Sequence, residues 1–282
     1  MKYVVCYSGG HSSALAAVET VRKYGKENVI LLNHNISSKV ERPDVKRFKQ
    51  EVADVLGIEI TYANHPQYEE MTPLALAREL KAFQYRPGEK LCTYYLKTKP
   101  FYDWLKENYP APKGRMREDI TLIYGFDNSE PARIERRIAH LRKMGYYVQF
   151  PLTWEKRTIF SIEQIGVKPP ESYAYCRHGN CDGCLKAGRI SWYRIFVGDG
   201  TQVPSPLFVE AMETEEIVGH SILKDTYLKE LIPDFMRMYQ FGIPANENVD
   251  THTFWAFNKR RVNGEINIFS EIYLKNNESM LL

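Results

Sequence analysis

One stretch near the start of the chain constrains the fold more than any other: Val4-Val5-Cys6-Tyr7-Ser8-Gly9-Gly10-His11-Ser12-Ser13-Ala14-Leu15. A β-favouring apolar run gives way to two glycines and small hydroxyl residues, and a helical pattern begins at once. Glycine lets backbone come close to a ligand, and the unpaired N–H groups of a helix start face negative charge. Ser8, Ser12 and Ser13 add hydroxyl donors around Gly9, Gly10 and His11. Such a strand–loop–helix unit fits a parallel α/β sheet that grips a phosphate group. The Gly-Lys-Ser/Thr ending of a Walker A loop is missing, and so is the glycine spacing of a dinucleotide fingerprint.

The rest of the first half follows suit. Strands are predicted at 2–7, 28–33, 58–62, 119–124 and 147–150, with helices at 12–24, 42–56, 74–83, 98–109 and 130–143. Val45, Phe48, Val52 and Val55 give the second helix its buried side, and Gly57 stops it. Strands alternating with amphipathic helices predict an α/β fold with a doubly wound, Rossmann-like parallel sheet. Ligands bind such sheets at the C-terminal ends of the strands. Beyond Thr158 the pattern is less regular. A helix is expected at 182–196, a mixed stretch at 214–239, and a strand-like Phe/Trp tail with a turn at Asn263-Gly264. This divides the chain into a nucleotide-binding domain, 1–155, and a C-terminal α+β region, 156–282.

Hydrophobic residues at 44% and charged residues at 26% describe an ordinary globular chain, not a disordered one. No apolar run is long enough to cross a bilayer and no leader pattern opens the chain, so a cytoplasmic protein without a membrane partner is expected. A net charge of +3 permits a nucleic-acid partner without demanding one. Basic clusters lie at Arg133-Ile134-Glu135-Arg136-Arg137 and Lys259-Arg260-Arg261; charge alone reads them as solvated surface.

Cys176-Arg177-His178-Gly179-Asn180-Cys181-Asp182-Gly183-Cys184 has the spacing C-x4-C-x2-C. Two thiols separated by a tight turn present sulfur to one ion, and a third nearly completes a tetrahedron. Cys92, His178 or an open position could supply the fourth ligand. Zinc and a [4Fe–4S] cluster are both chemically sound, and the simplest role is a knuckle that ties the chain together. Cys6, inside the first strand, reads as core. His34 follows the second strand, at the edge where a nucleotide would bind, and is a candidate for the adenine or ribose pocket. His140, His220 and His252 have no partner by spacing.

Ser8-Gly9-Gly10-His11-Ser12-Ser13 resembles the PP-loop of the N-type ATP pyrophosphatases. Two further stretches are similar to the phosphoadenosine phosphosulfate reductase-like branch of that superfamily. They are Leu91-Cys92-Thr93-Tyr94-Tyr95-Leu96-Lys97-Thr98-Lys99-Pro100 and Ile123-Tyr124-Gly125-Phe126-Asp127-Asn128-Ser129-Glu130-Pro131-Ala132-Arg133. The likeness covers roughly residues 1–195. It implies an adenine nucleotide alpha hydrolase-like fold that binds ATP with Mg²⁺, with Ser8 to Ser13, His34 and Gly125 at the nucleotide. Lys97 and Arg133 would steady charge during catalysis, and Cys92, Cys176, Cys181 and Cys184 would hold metal. The implied reaction is adenylation with release of pyrophosphate. It would be coupled to sulfur transfer onto a nucleic-acid base or a small molecule. Many members carry an acid where this chain has Ser12, so no magnesium ligand is carried over to that position. A true sulfonucleotide reductase needs a cysteine in its C-terminal tail, and this chain has none after Cys184. A zinc-stapled nucleotide-binding module without turnover is the alternative from outside enzymology.

Overall fold

The computed structural model describes residues 1–258 apart from 178, 180 and 225, together with the backbone of 261–262 and 265–266. Strand β1 (Lys2–Cys6) runs into helix α1 (His11–Tyr24), then β2 (Val29–Asn33), α2 (Pro43–Leu56) and β3 (Ile60–Tyr62). Helix α3 (Pro73–Leu80) and a hairpin of β4 (Gln84–Arg86) and β5 (Glu89–Lys90) follow. Next come the short α4 (Leu91–Thr93), a π-turn over Tyr94–Thr98, and α5 (Lys99–Asn108). The sheet resumes with β6 (Arg117–Ile123), α6 (Pro131–Lys143) and β7 (Tyr146–Gln149). Four helices follow: α7 (Arg189–Val197), α8 (Pro206–Val218), α9 (Leu228–Gln240) and α10 (Thr251–Phe257). Two short strands, β8 (Arg261–Val262) and β9 (Glu265–Ile266), pair antiparallel.

Five strands form one parallel sheet in the order β3-β2-β1-β6-β7. Its two faces are legible in adjacent residues, because successive strand side chains point to opposite sides. Val5 and Leu31 face α1 and α2, packing with Leu15, Val18, Phe48 and Val52. Val4 and Leu32 face α5 and α6, packing with Phe101, Leu105 and Leu141. With helices on both faces, the sheet is Rossmann-like and doubly wound. The chain builds outward from β1 to β3, then returns to place β6 on the other side of β1. The order therefore reverses between β1 and β6, and the crevice beyond their carboxyl ends is where such sheets take ligands.

The chain forms two compact units, one of residues 1–70 and 93–173, the other of 71–92 and 174–282. The expected division at 155 is thus displaced to 173. Ile159, Ile162 and Val167 are buried in the same core as α1 and the sheet, which keeps that segment in the first unit. The second unit takes back 71–92: Arg78 of α3 bonds Glu210 at 2.8 Å and Thr214 at 3.0 Å on α8.

Two expected elements differ. The helix expected at 182–196 begins only at Arg189, after Gly188, because 182–187 form turns in which Gly183 has φ +72°. The aromatic tail is helical at 251–257. Asp250 caps it by accepting from Thr253 N–H at 2.8 Å, and that cap outweighs the β preference of Phe and Trp. Asn263, Gly264, Lys259 and Arg260 lie outside the described residues. No helix among the described residues is long and apolar enough to cross a membrane.

Candidate functional site

The glycine loop sits at the strand-order reversal, leading from the end of β1 into α1. Gly9 turns it with φ +78°, and Gly10 is the N-cap of α1. The first intrahelical bond runs from Ala14 N–H to Gly10 C=O at 3.1 Å. Ser13 Oγ donates to Gly10 C=O at 2.8 Å and lies 3.1 Å from Ser8 Oγ, so the loop braces itself. His11 N–H donates to the Tyr173 hydroxyl at 3.2 Å. Ser12 is exposed, and no acid occupies the first turn of α1. The positive end of that helix is therefore left without a neutralising carboxylate of its own.

Gly125, just after β6, explains how tightly the two strand ends meet. A Cβ there would stand 2.6 Å from the Ser12 carbonyl oxygen and 2.9 Å from Ser13 N. Only glycine allows backbone to lie that close.

Beneath the loop lies a buried ion pair. Lys49 of α2 is 2% exposed; its ammonium bonds Glu41 at 2.8 and 3.0 Å. Its stem would be 3.1 Å from a Cβ on Gly9, so the lysine forms the floor of the turn. Asn33 sits 3.5 Å from the ammonium and donates to Tyr7 C=O, while the Tyr7 hydroxyl donates to Lys49 C=O at 2.9 Å. Burial lowers the Lys49 pKa, and Glu41 opposes the shift.

His34 is held at the same edge. Its Nδ1 lies 2.6 Å from Ala63 C=O, and since a carbonyl only accepts, that nitrogen carries the proton. Burial pushes the imidazole down to about 4; the Ala63 bond opposes this, and Lys97 and Lys49 add to it. His34 is therefore neutral at physiological pH, with Nε2 as an acceptor. Lys97, in the π-turn, is thus within electrostatic reach of His34 and Lys49.

Arg133 is placed differently. Its side chain is 55% exposed, pairs with Glu130 and lies over the Phe126 ring at 4.1 Å. A different arginine is closer to the loop electrostatically. Burial lowers the His11 pKa, Glu163 opposes that, and Arg157 reinforces it. Arg157 also helps hold Asp127 ionised, after the hydrogen bonds from Ser129. The Arg157 guanidinium lies over Phe160 at 4.8 Å and donates to Ile159 C=O at 2.9 Å, leaving a buried Nε without a partner. Its segment is pinned by Glu19 of α1, 2% exposed, which accepts from Thr158 N–H at 2.5 Å and Ile159 N–H at 2.9 Å.

Arg157, Lys49, Glu41, Glu19 and Tyr173 do not stand out in the sequence. Two of them do leave a signal there. Lys49 falls four residues after Val45 and Glu19 four after Leu15, each charged group lying on an apolar stripe.

The four candidate metal-binding cysteines all belong to the second unit: Cys92 closes its first stretch, and Cys176, Cys181 and Cys184 lie near the start of its second. Cys92 and Cys176 are buried, Cys181 and Cys184 half-buried. Lys90 is lowered by burial, and Cys92 and Cys184 both oppose that shift, so these two thiols share a neighbour. Arg194 bonds Asp182 at 2.5 Å, lies 3.6 Å from Glu247 and is within electrostatic reach of Cys176. Among the described residues no three His, Cys, Asp or Glu side chains form a metal-holding group, and His178 lies outside them.

Set against family models, curated proteins and solved structures, the chain has no match in any of the three comparisons.

Proposed function

We propose that this chain is an ATP-using enzyme of the PP-loop kind, with the adenine nucleotide alpha hydrolase-like version of its fold, cytoplasmic and without a membrane partner. It would transfer AMP to an acceptor and release pyrophosphate. The observation that carries the reading is a self-braced glycine loop, free of acids, at the strand-order reversal between β1 and β6. N–H groups of the α1 start and the Ser8 and Ser12 hydroxyls would hold the β- and γ-phosphates. An acceptor oxygen attacks the α-phosphorus, the bond from that phosphorus to the bridging oxygen breaks, and its electron pair leaves with pyrophosphate. Arg157, Lys97 and Arg133 are the cations offered to the charge on the leaving group. Neutral His34 offers Nε2 as an acceptor for a sugar hydroxyl or adenine amino group. Mg²⁺, when bound, supplies charge neutralisation. The loop presents hydroxyls and not carboxylates, which suits an ion carried largely by the phosphates.

Displacement of AMP by a sulfur nucleophile would complete a thiolation. Cys92, Cys176, Cys181 and Cys184 are the donor set for zinc or a [4Fe–4S] cluster, which would supply a sulfur-binding Lewis acid. The test is to purify the protein without oxygen, measure iron, zinc and absorbance, and assay pyrophosphate with ATP and Mg²⁺. Pyrophosphate release that is lost in Gly9→Ala supports adenylation. The exposed hydroxyl at Ser12 favours a second reading, a nucleotide-binding module. Tight ATP binding without pyrophosphate, across oligonucleotide and small carboxylate acceptors, would replace the enzyme with that module.

A further inference from the structure

We propose that helix α6 is a docking surface for a single-stranded polynucleotide. As the acceptor of the reaction above, that polynucleotide rests on the adenylation reading; as a ligand it does not. The thirteen residues of α6 contain five cations, Arg133, Arg136, Arg137, Arg142 and Lys143, and one anion, Glu135. That is a net +4 on one helix, against +3 for the entire chain, so the rest of the molecule is net negative. The charge is also presented outward. Leu141 is the one buried residue of α6, and Arg133, Arg136, Arg142 and Lys143 are exposed. Arg133, Arg136 and Lys143 recur with His140 at the spacing of one helix face, a stripe about 15 Å long at 1.5 Å per residue, and Arg142 is exposed beside it.

The start of the helix carries a second signal. Its first turn holds no acid but does hold Arg133, where the helix dipole disfavours a cation. Glu130 answers Arg133 from the N-cap position, and Glu135 is the single acid within the helix against the five cations. An anion lying along the stripe would relieve this arrangement, and arginine suits phosphate because its fork matches two oxygens at once.

Aromatic rings point to single strands. Arg133 lies over Phe126 at 4.1 Å and Arg137 over Tyr124 at 4.7 Å, while Phe126 stacks on Phe150 with centroids 5.9 Å apart. Phe126 and Tyr124 are half-buried, each with a guanidinium over its ring. Cations beside aromatic faces are how proteins hold unstacked bases, which a duplex does not offer. Gly125 sits between these two rings and abuts Ser12, so the stripe leads to the phosphate loop. A lipid surface would need a broad exposed apolar face. The large apolar residues of α6, Ile134, Ile138 and Leu141, are half-buried or buried instead.

The test is fluorescence anisotropy, without ATP, on an unstructured oligonucleotide of about 16 nucleotides. It is made as RNA and as DNA, with a duplex of the same length as comparison. The wild type should bind the single strands more tightly than the duplex, weakening steeply between about 50 and 200 mM salt. An Arg136→Ser, Arg142→Ser, Lys143→Ser variant should flatten the log–log salt slope by about 2, at ~0.7 for each phosphate that is no longer neutralised. Affinity in low salt should fall about tenfold or more. A variant with Arg136→Lys and Arg142→Lys should keep most of the slope, which separates charge from folding. Equal binding by the serine variant overturns the proposal, as does a wild type that ignores single strands or prefers the duplex. ATP binding, measured without oligonucleotide, stays at the wild-type level in the same variants, and pyrophosphate release is assayed on the wild type with saturating oligonucleotide. A failure of adenylation would therefore be visible separately from a failure of docking.

Discussion

Helices α1 and α6 leave adjacent strands of the same sheet at the same edge, yet they are opposites. Eight consecutive residues of α1, Ser13 to Thr20, are buried, and three of them are the polar Ser13, Glu19 and Thr20. In α6 only Leu141 is buried, and Arg133, Arg136, Arg142 and Lys143 are exposed. α1 spends its side chains on holding things in place: Glu19 grips the Thr158–Ile159 backbone and Ser13 braces the loop. α6 instead keeps those four cations exposed. A phosphate loop must be rigid to present N–H groups in a fixed pattern. On the docking proposal, a surface that tracks a flexible polyanion has no such need, and the two helices divide accordingly.

Four changes would sharpen or break this contrast. Glu19→Ala should have the largest effect, about 3 kcal/mol or more in urea unfolding, because the buried Ile159 N–H and the part-buried Thr158 N–H lose their carboxylate acceptor. It should also slow pyrophosphate release by loosening the segment that carries Arg157. Lowering the pH probes the buried edge without mutation. His34 has its folded pKa pushed down to about 4, below its unfolded value, so the unfolded state takes up the proton first as pH falls. Stability should be unaffected by this group above about pH 6.5 and decline by about 3 kcal/mol as pH drops toward 4. His34→Gln should remove that decline. Gly125→Ala comes next, costing about 1–3 kcal/mol because its Cβ meets the Ser12 carbonyl, and it should weaken ATP binding. The smallest effect belongs to α6: Glu135→Gln should change stability by no more than about 0.5 kcal/mol. A loss as large as that of Glu19→Ala would end the distinction between the two helices.

Much of the sheet is legible in the sequence because its signals are local. β1, α1, β2 and α2 announce themselves through apolar periodicity, Gly57 and the glycine loop, and their observed bounds fall within a residue or two of those expected. Gly125 is legible as a strand end, though its approach to Ser12 is not. That approach joins positions more than a hundred residues apart, and no pattern in a single chain encodes it. Arg157 is hidden for the same reason, since its neighbours His11 and Asp127 come from two other segments. Arg133 stands out in the sequence by its place after Gly125, and the structure gives it an exposed position beside Phe126. The helix at 251–257 escapes a reading that weighs aromatic content above the Asp250 cap.

The second unit is stitched from two stretches separated by residues 93–173 of the first. During synthesis, 71–92 leaves the ribosome long before 174–258 exists. Leu74, Leu76, Phe83 and Leu91, all buried in the finished molecule, must wait for their cover. The bonds that close the unit, Arg78 to Glu210 and Lys90 to Ile222 C=O, join its earliest residues to its latest. A nascent chain halted at Tyr173 would hold every residue of the sheet and loop while exposing an apolar helix with nowhere to dock. Such a chain is an aggregation hazard and a natural client for a chaperone.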